Sequence, residues 1–346
     1  MRRPPPALAV LAAAALLAGC STSSPSATSR PSAASTSRAS SSTSTSASPT
    51  GSSGSRVRVP VLRIRLLPGR LPRPLAREAL APGAVPSRVV VAGGLLAGDA
   101  SSASSYVLDL RTGATTGLPD LPTAVHDTAG STVGGRRPTS LVIGGGNASE
   151  QSVVQGRRRG RWTVVGHLPS TRSDLSAVRL DGRVYVVGGY DGTTPAVAAV
   201  LSSADGRRWT RVATLPVPVR YAAVVAQEGA VWVFGGERDH AMVDAVQRID
   251  PASGRARVVA HLPRALGHAQ AVVVGGRLLV AGGRTGTDRL TARTWWFDPA
   301  TRRFTRARSL PTPLADSAAV SLGSSVLLVG GETPSFSDRV LRLTYR

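Results

Sequence analysis

Lysine is absent from this chain of 346 residues: all 42 basic side chains are arginine, against 20 acids, giving a formal net charge of +22. Aromatic residues make up only 4%, and cysteine occurs once, as Cys20. A single cysteine excludes a disulfide framework and any cysteine-cluster metal site. The 37 glycines follow no triplet period, which excludes a collagen-like chain. A mean hydropathy of +0.02 argues against a polytopic membrane protein. The His-Glu-x-x-His and Gly-x-Ser-x-Gly patterns are missing. Gly144-Gly145-Gly146 ends an apolar run with no helix pattern after it, so it is not a phosphate loop. The length fits one large domain or two small ones.

The chain starts like an exported protein. Arg2 and Arg3 precede the apolar run from Ala7 to Ala18. That run is shorter than the roughly 20 residues that span a bilayer. It ends in Leu17-Ala18-Gly19-Cys20, which resembles the lipobox of bacterial lipoproteins. The resemblance implies that residues 1–19 are a signal peptide and that Cys20 is acylated after cleavage. The protein would then be extracytoplasmic and anchored to the cell membrane by its N-terminal lipid. An ordinary cleaved signal with an incidental cysteine is the alternative. Residues 20–55 are almost wholly Ser, Thr, Ala, Pro and Gly after the cysteine. Such a segment buries too little apolar area to offset its backbone entropy, so a disordered tether is expected.

Residues 56–346 repeat. A diglycine follows an apolar run six times, at Gly93, Gly144, Gly188, Gly235, Gly282 and Gly330. A Leu-Pro pair precedes each one, at Leu71, Leu121, Leu168, Leu215, Leu262 and Leu310. The constant register marks an internal repeat, and each unit reads as four short strands with turn signals such as Ala204-Asp205-Gly206. These features resemble the Kelch-repeat family, with Trp162, Trp209 and Phe304 at the family's fourth-strand aromatic. The resemblance implies an all-β, six-bladed β-propeller. The last unit ends after three strands, while an orphan strand, 57–66, precedes the first Leu-Pro. That strand is expected to complete the last blade and close the ring, which removes an exposed sheet edge.

Counting from Leu-Pro, the seventh positions are Arg77, Asp127, Asp174, Tyr221, His268 and Asp316. The sixth position adds His126 and Arg220, and the residue after Gly-Gly adds Tyr190, Glu237, Arg284 and Glu332. In this fold both loops open on one face near the central channel, so these twelve are the candidate ligand-binding residues. Structural pairing, ligand binding and catalysis are all open to such a set, and no catalytic residue is singled out. No metal site and no cofactor is expected; His167 and His261 share one repeat position and read as structural.

Many arginines fall in the hairpins between third and fourth strands, for example Arg207, Arg208, Arg302 and Arg303. A nucleic-acid surface would add interleaved aromatics and a cytoplasmic address. Neither is present, so no nucleic acid is expected. The Arg-rich rim reads as compositional bias on a solvated surface, or as attraction to anionic lipid or wall polymer. The functional expectation is a monomeric, membrane-anchored module that binds a glycan, a peptide or an envelope partner protein. The alternative is a sugar mutarotase or epimerase at the channel mouth, similar to the Kelch-type sialic acid mutarotases.

Overall fold

The computed structural model describes residues 61–345 apart from 84, 86, 136, 137, 288 and 323. Every regular element among them is a β-strand. Six antiparallel four-stranded sheets form the blades of a propeller. Blades one to five are continuous in sequence, over 79–118, 129–167, 176–214, 223–261 and 270–306. Blade six takes Ala318–Leu322, Ser325–Val329 and Val340–Tyr345, then recruits Leu62–Leu66 as its outer strand. Leu62 pairs with Tyr345 and Leu66 with Leu341. The expected closing strand is therefore in place; its first residues, 57–60, lie outside the described residues.

Burial explains the apolar runs. The second strand of each blade is packed on both faces, so it reads as a continuous apolar string and not as an alternation. Ala230–Phe234 (Ala-Val-Trp-Val-Phe) is buried at every position. Outer strands such as Arg255–His261 meet solvent and carry charge. Cores lie between neighbouring blades. Val89, Val91 and Leu108 of blade one pack with Leu327, Val329 and Val340 of blade six. Leu62 and Leu343 pack with Val274 and Leu279 of blade five. The closing strand is thus held by a core as well as by its ladder.

The diglycine is a docking point between consecutive blades. Gly235 has φ of 56° and Gly236 of 115°. A Cβ on Gly235 would stand 2.0 Å from the Leu266 carbonyl oxygen, to which the Gly236 N–H donates at 2.9 Å. Only glycine permits that approach. A second clamp was not evident beforehand. The Gln155 and Gln247 side chains are fully buried, each beside a bulge between the third and fourth strands. Gln247 Oε1 accepts the Val217 N–H at 3.0 Å and its amide donates to the Val217 carbonyl at 2.9 Å. Gln155 does the same to Thr123, at 2.9 and 3.0 Å. Buried polar groups satisfied this way fix the loop after Leu-Pro.

The topology gives the propeller two unlike faces. The Leu-Pro loops and the Gly-Gly loops lie at one end of the strands, here the ring face. The turns between first and second strands, and between third and fourth, lie at the other end, the hairpin face.

Candidate functional site

The six seventh-position residues form a ring whose backbone explains their placement. Arg77, Asp127, Asp174, Tyr221, His268 and Asp316 all have φ between 49° and 61°. That left-handed conformation is tolerated by Asp and uncommon for Arg, Tyr and His. Each residue turns away from a backbone bridge made one position earlier, such as His126 with Gly146, Ser173 with Tyr190 or Arg220 with Glu237. The turned N–H groups then bond around the propeller axis. Asp174 donates to the Asp127 carbonyl at 3.0 Å, Tyr221 to Asp174 at 2.9 Å and His268 to Tyr221 at 2.9 Å. Asp316 donates to His268 at 3.0 Å and Arg77 to Asp316 at 2.9 Å. Five hydrogen bonds thus string the six blades together at the end of the channel.

The side chains join into one ion-pair web. Arg77 lies 3.3 Å from Asp127 Oδ2 and 3.0 Å from Glu332 Oε1. Arg284 pairs with Glu332 and reaches Asp316 Oδ2 at 3.3 Å. His268 bridges Asp316 Oδ1 at 2.7 Å through Nδ1 and Glu237 Oε2 at 3.2 Å through Nε2. Arg220 pairs with Glu237 and lies 3.4 Å from Asp174 Oδ2. Aromatic rings complete the plug. Tyr221 stacks on His268 with centroids 4.0 Å apart. The Arg77 guanidinium reaches to 5.6 Å from the Tyr221 ring, although blades one and four stand opposite each other. Arg220 lies 5.5 Å from Tyr221 and 5.9 Å from Tyr190. His126 approaches Asp127 Oδ2 at 3.5 Å and shares a 2.8 Å hydrogen bond with Ser101.

The charges in this web are unevenly matched. Burial disfavours the charged imidazole of His268, but Asp316 and Glu237 outweigh it and lift its pKa to about 9. Burial likewise opposes ionisation of Asp316, yet His268 and the two arginines hold it at about 2. The hydrogen bond from His268, with help from Arg220, keeps Glu237 at about 2. Asp127 and Asp174 behave oppositely. Burial raises both; the charge of Asp316 adds to the rise at Asp127, and the charge of Asp127 to that at Asp174. Charge balance adds to burial: the five carboxylates of Asp127, Asp174, Glu237, Asp316 and Glu332 share the cations Arg77, Arg220, Arg284 and His268. Asp127 Oδ1 is buried and has no hydrogen-bond partner.

All twelve predicted residues are therefore brought together, but largely onto each other. They narrow the ring-face mouth, which matches the structural pairing that the sequence leaves open beside ligand binding and catalysis. The open volume, about 610 Å³, lies on the other side of the ring. Its floor is Arg77, Asp127, Asp174, Tyr221, His268 and Asp316; His126, Tyr190, Arg220, Glu237, Arg284 and Glu332 do not line it. The first strands form its walls, with Leu80, Val178, Val224, Val273 and Ala319 among the apolar groups. At the hairpin face it reaches the exposed Pro82, Arg179 and Ser321.

One lining residue escaped the sequence reading. Glu78 follows Arg77, is 4% exposed, and neither carboxyl oxygen has a hydrogen-bond partner. Burial lifts its pKa to about 8. The corresponding positions hold Thr128, Leu175, Ala222, Ala269 and Ser317, so a lone acid in that register was the available signal. Among the described residues, no group of three or more His, Cys, Asp or Glu is placed to hold a metal ion.

Comparison with known proteins bears on the scaffold. The family model described as the KLHDC2/KLHL20/DRC7 Kelch-repeats domain matches residues 154–331. The solved structure titled "Structure of YjhT" is similar with a TM-score of 0.66, covering 81% of this chain and 99% of that chain. Its sequence identity is 18%, so the likeness is one of fold. No curated protein matches the chain.

Proposed function

Since the chain belongs to the Kelch-repeat domain family, we propose that it is a membrane-anchored, extracytoplasmic binding module whose ligand enters the central channel from the hairpin face. A glycan, a peptide or a segment of an envelope partner protein suits that space. The observation that carries this reading is the channel itself. It is a cavity of about 610 Å³ with apolar walls, open at one end and floored by charged and aromatic groups at the other. Sites that bind small ligands commonly combine apolar walls with a few convergent polar groups. Most of the floor side chains already hold partners, which suits a rigid recognition surface better than a reacting one. The strained left-handed backbone at six consecutive blades fits the same view, since such strain persists where the surroundings over-determine it.

The test is a binding screen of the full chain against glycan and peptide libraries. Each hit is repeated with Ser321→Trp, which obstructs the hairpin-face mouth. Hits that disappear with this substitution support the channel. Hits that all survive it remove the channel as the site.

A second reading, a sugar mutarotase or epimerase, is favoured by one observation. Asp127 and Asp174 are neighbouring carboxyls whose proton affinity is raised toward neutrality at the channel floor. Such groups can exchange protons with a sugar hydroxyl. Anomer exchange followed by NMR decides it. Acceleration that Asp174→Asn abolishes supports the enzyme; rates equal to buffer across a sugar panel refute it.

A further inference from the structure

The fold sorts the charge by face. On the ring face arginines meet acids, as in the web of Arg77, Arg220 and Arg284 with their carboxylates. On the hairpin face few do; Arg111, 3.7 Å from Asp109, is one that does. Every blade presents an exposed arginine there: Arg63, Arg111, Arg159, Arg207, Arg255 and Arg302. Arg88, Arg179 and Arg277, also exposed, add a second circle nearer the channel. The acids of this face, among the described residues, are Asp109, Asp181, Asp205, Glu228, Asp250 and Asp298. Four of the six are occupied by their own turns. Asp109 accepts the Arg111 N–H at 2.9 Å, Asp205 the Arg207 N–H at 2.8 Å, Asp250 the Ala252 N–H at 3.0 Å and Asp298 the Ala300 N–H at 2.9 Å. A bias toward arginine codons would scatter unmatched charge over the whole surface. Here the matching acids are gathered on one face and the excess cations on the other.

A second observation says what meets that face. The closing strand runs from Leu62, opposite Tyr345, to Leu66, opposite Leu341. Leu62 therefore stands at the hairpin end, and the chain preceding it joins the propeller on the arginine side.

We propose that the hairpin face docks on an anionic lipid bilayer, its arginines engaging headgroup phosphates. Guanidinium presents a planar fork that matches phosphate bidentately. The proposal rests on the membrane-anchored reading for its biological setting. Its chemistry stands apart from the lipid, and the test separates the two.

The probe is the full chain carrying Cys20→Ser, mixed with vesicles of phosphatidylcholine alone or with 30% phosphatidylglycerol. Binding to the anionic vesicles alone, lost between 0.1 and 0.5 M salt, is the expected result. Each arginine near the surface is worth about fivefold in affinity. The triple variant Arg111→Ala, Arg207→Ala, Arg255→Ala should therefore weaken binding about 100-fold. A ring-face triple, Arg70→Ala, Arg238→Ala, Arg264→Ala, removes the same charge and should retain most of the affinity. Equal binding to neutral vesicles, or equal loss in both triples, overturns the proposal. Binding to an isolated anionic wall polymer without binding to vesicles also overturns it. If the Cys20→Ser chain fails to bind vesicles while the wild type still partitions to membranes, docking falls and the anchor stands. If the wild type stays soluble in cells while vesicle binding holds, the anchor falls and docking stands.

Discussion

Replacing Glu78 by Gln should make stability less dependent on pH, and the size of the effect follows from where the carboxyl sits. Glu78 is 4% exposed and both its oxygens lack partners. The Tyr106 hydroxyl, buried nearby, lacks one too; burial raises its pKa and Glu78 adds to the rise. Burial moves the Glu78 pKa from its ordinary 4.5 to about 8. In the unfolded chain the group ionises near 4.5; in the folded chain it keeps its proton until about pH 8. The folded state thus binds more protons over that window, and stability falls as pH rises through it. At 1.36 kcal/mol for each tenfold change, this amounts to about 2 kcal/mol by pH 6 and about 3 kcal/mol by pH 7. Gln has the same shape and no such proton. Any misfit of its amide shifts the variant by a constant amount, so the difference between variant and wild type carries the signal. Thermal unfolding at half-unit steps from pH 4.5 to 8 reads it. At roughly 2 °C per kcal/mol for a domain of this size, Glu78→Gln should gain about 6 °C on the wild type between pH 4.5 and 7. A difference that stays flat across this range refutes the burial argument.

Two other outcomes can be tested on the same instrument. His268 has a folded pKa raised to about 9, so its pairing with Asp316 stabilises fully below 6.5 and fades as pH rises through 9. His268→Gln should therefore lose about 2–3 kcal/mol at pH 6 and converge on the wild type near pH 10; a pH-independent deficit would assign the loss to packing against Tyr221 instead. Deleting residues 57–66 removes the outer strand of blade six and exposes Leu341 and Leu343, and should abolish cooperative unfolding; a truncated chain with an unchanged transition would refute closure by this strand.

The legible part of the fold was the part written in repetition. Six Gly-Gly pairs and six Leu-Pro pairs in register give blade number and strand order, and an orphan strand opposite an incomplete last unit gives the closure. The ring was found for the same reason, since Arg77, Asp127, Asp174, Tyr221, His268 and Asp316 share one register position. The direction in which their side chains would be used was not legible. Whether Arg77 meets solvent or crosses to Tyr221 depends on backbone turned into the left-handed region at every blade, which no residue type in the set demands. The open volume consequently lies on the channel side of the ring. Glu78 was missed because a repeat argument looks for sameness, and Glu78 is where one unit departs from the other five. Gln155 and Gln247 look like ordinary surface residues until a bulge turns each of them inward.

The closing strand also sets an order in time. Leu62–Leu66 is near the start of the chain and its partner, Val340–Tyr345, is the last strand made. A chain made N-terminus first must hold the first segment unpaired until nearly all the rest has been synthesised. Every other blade can form from contiguous sequence while this happens. The propeller therefore spends its synthesis as an open arc with one blade unmade, and it becomes a ring only in the final step. Pairing so distant in sequence is slow to find.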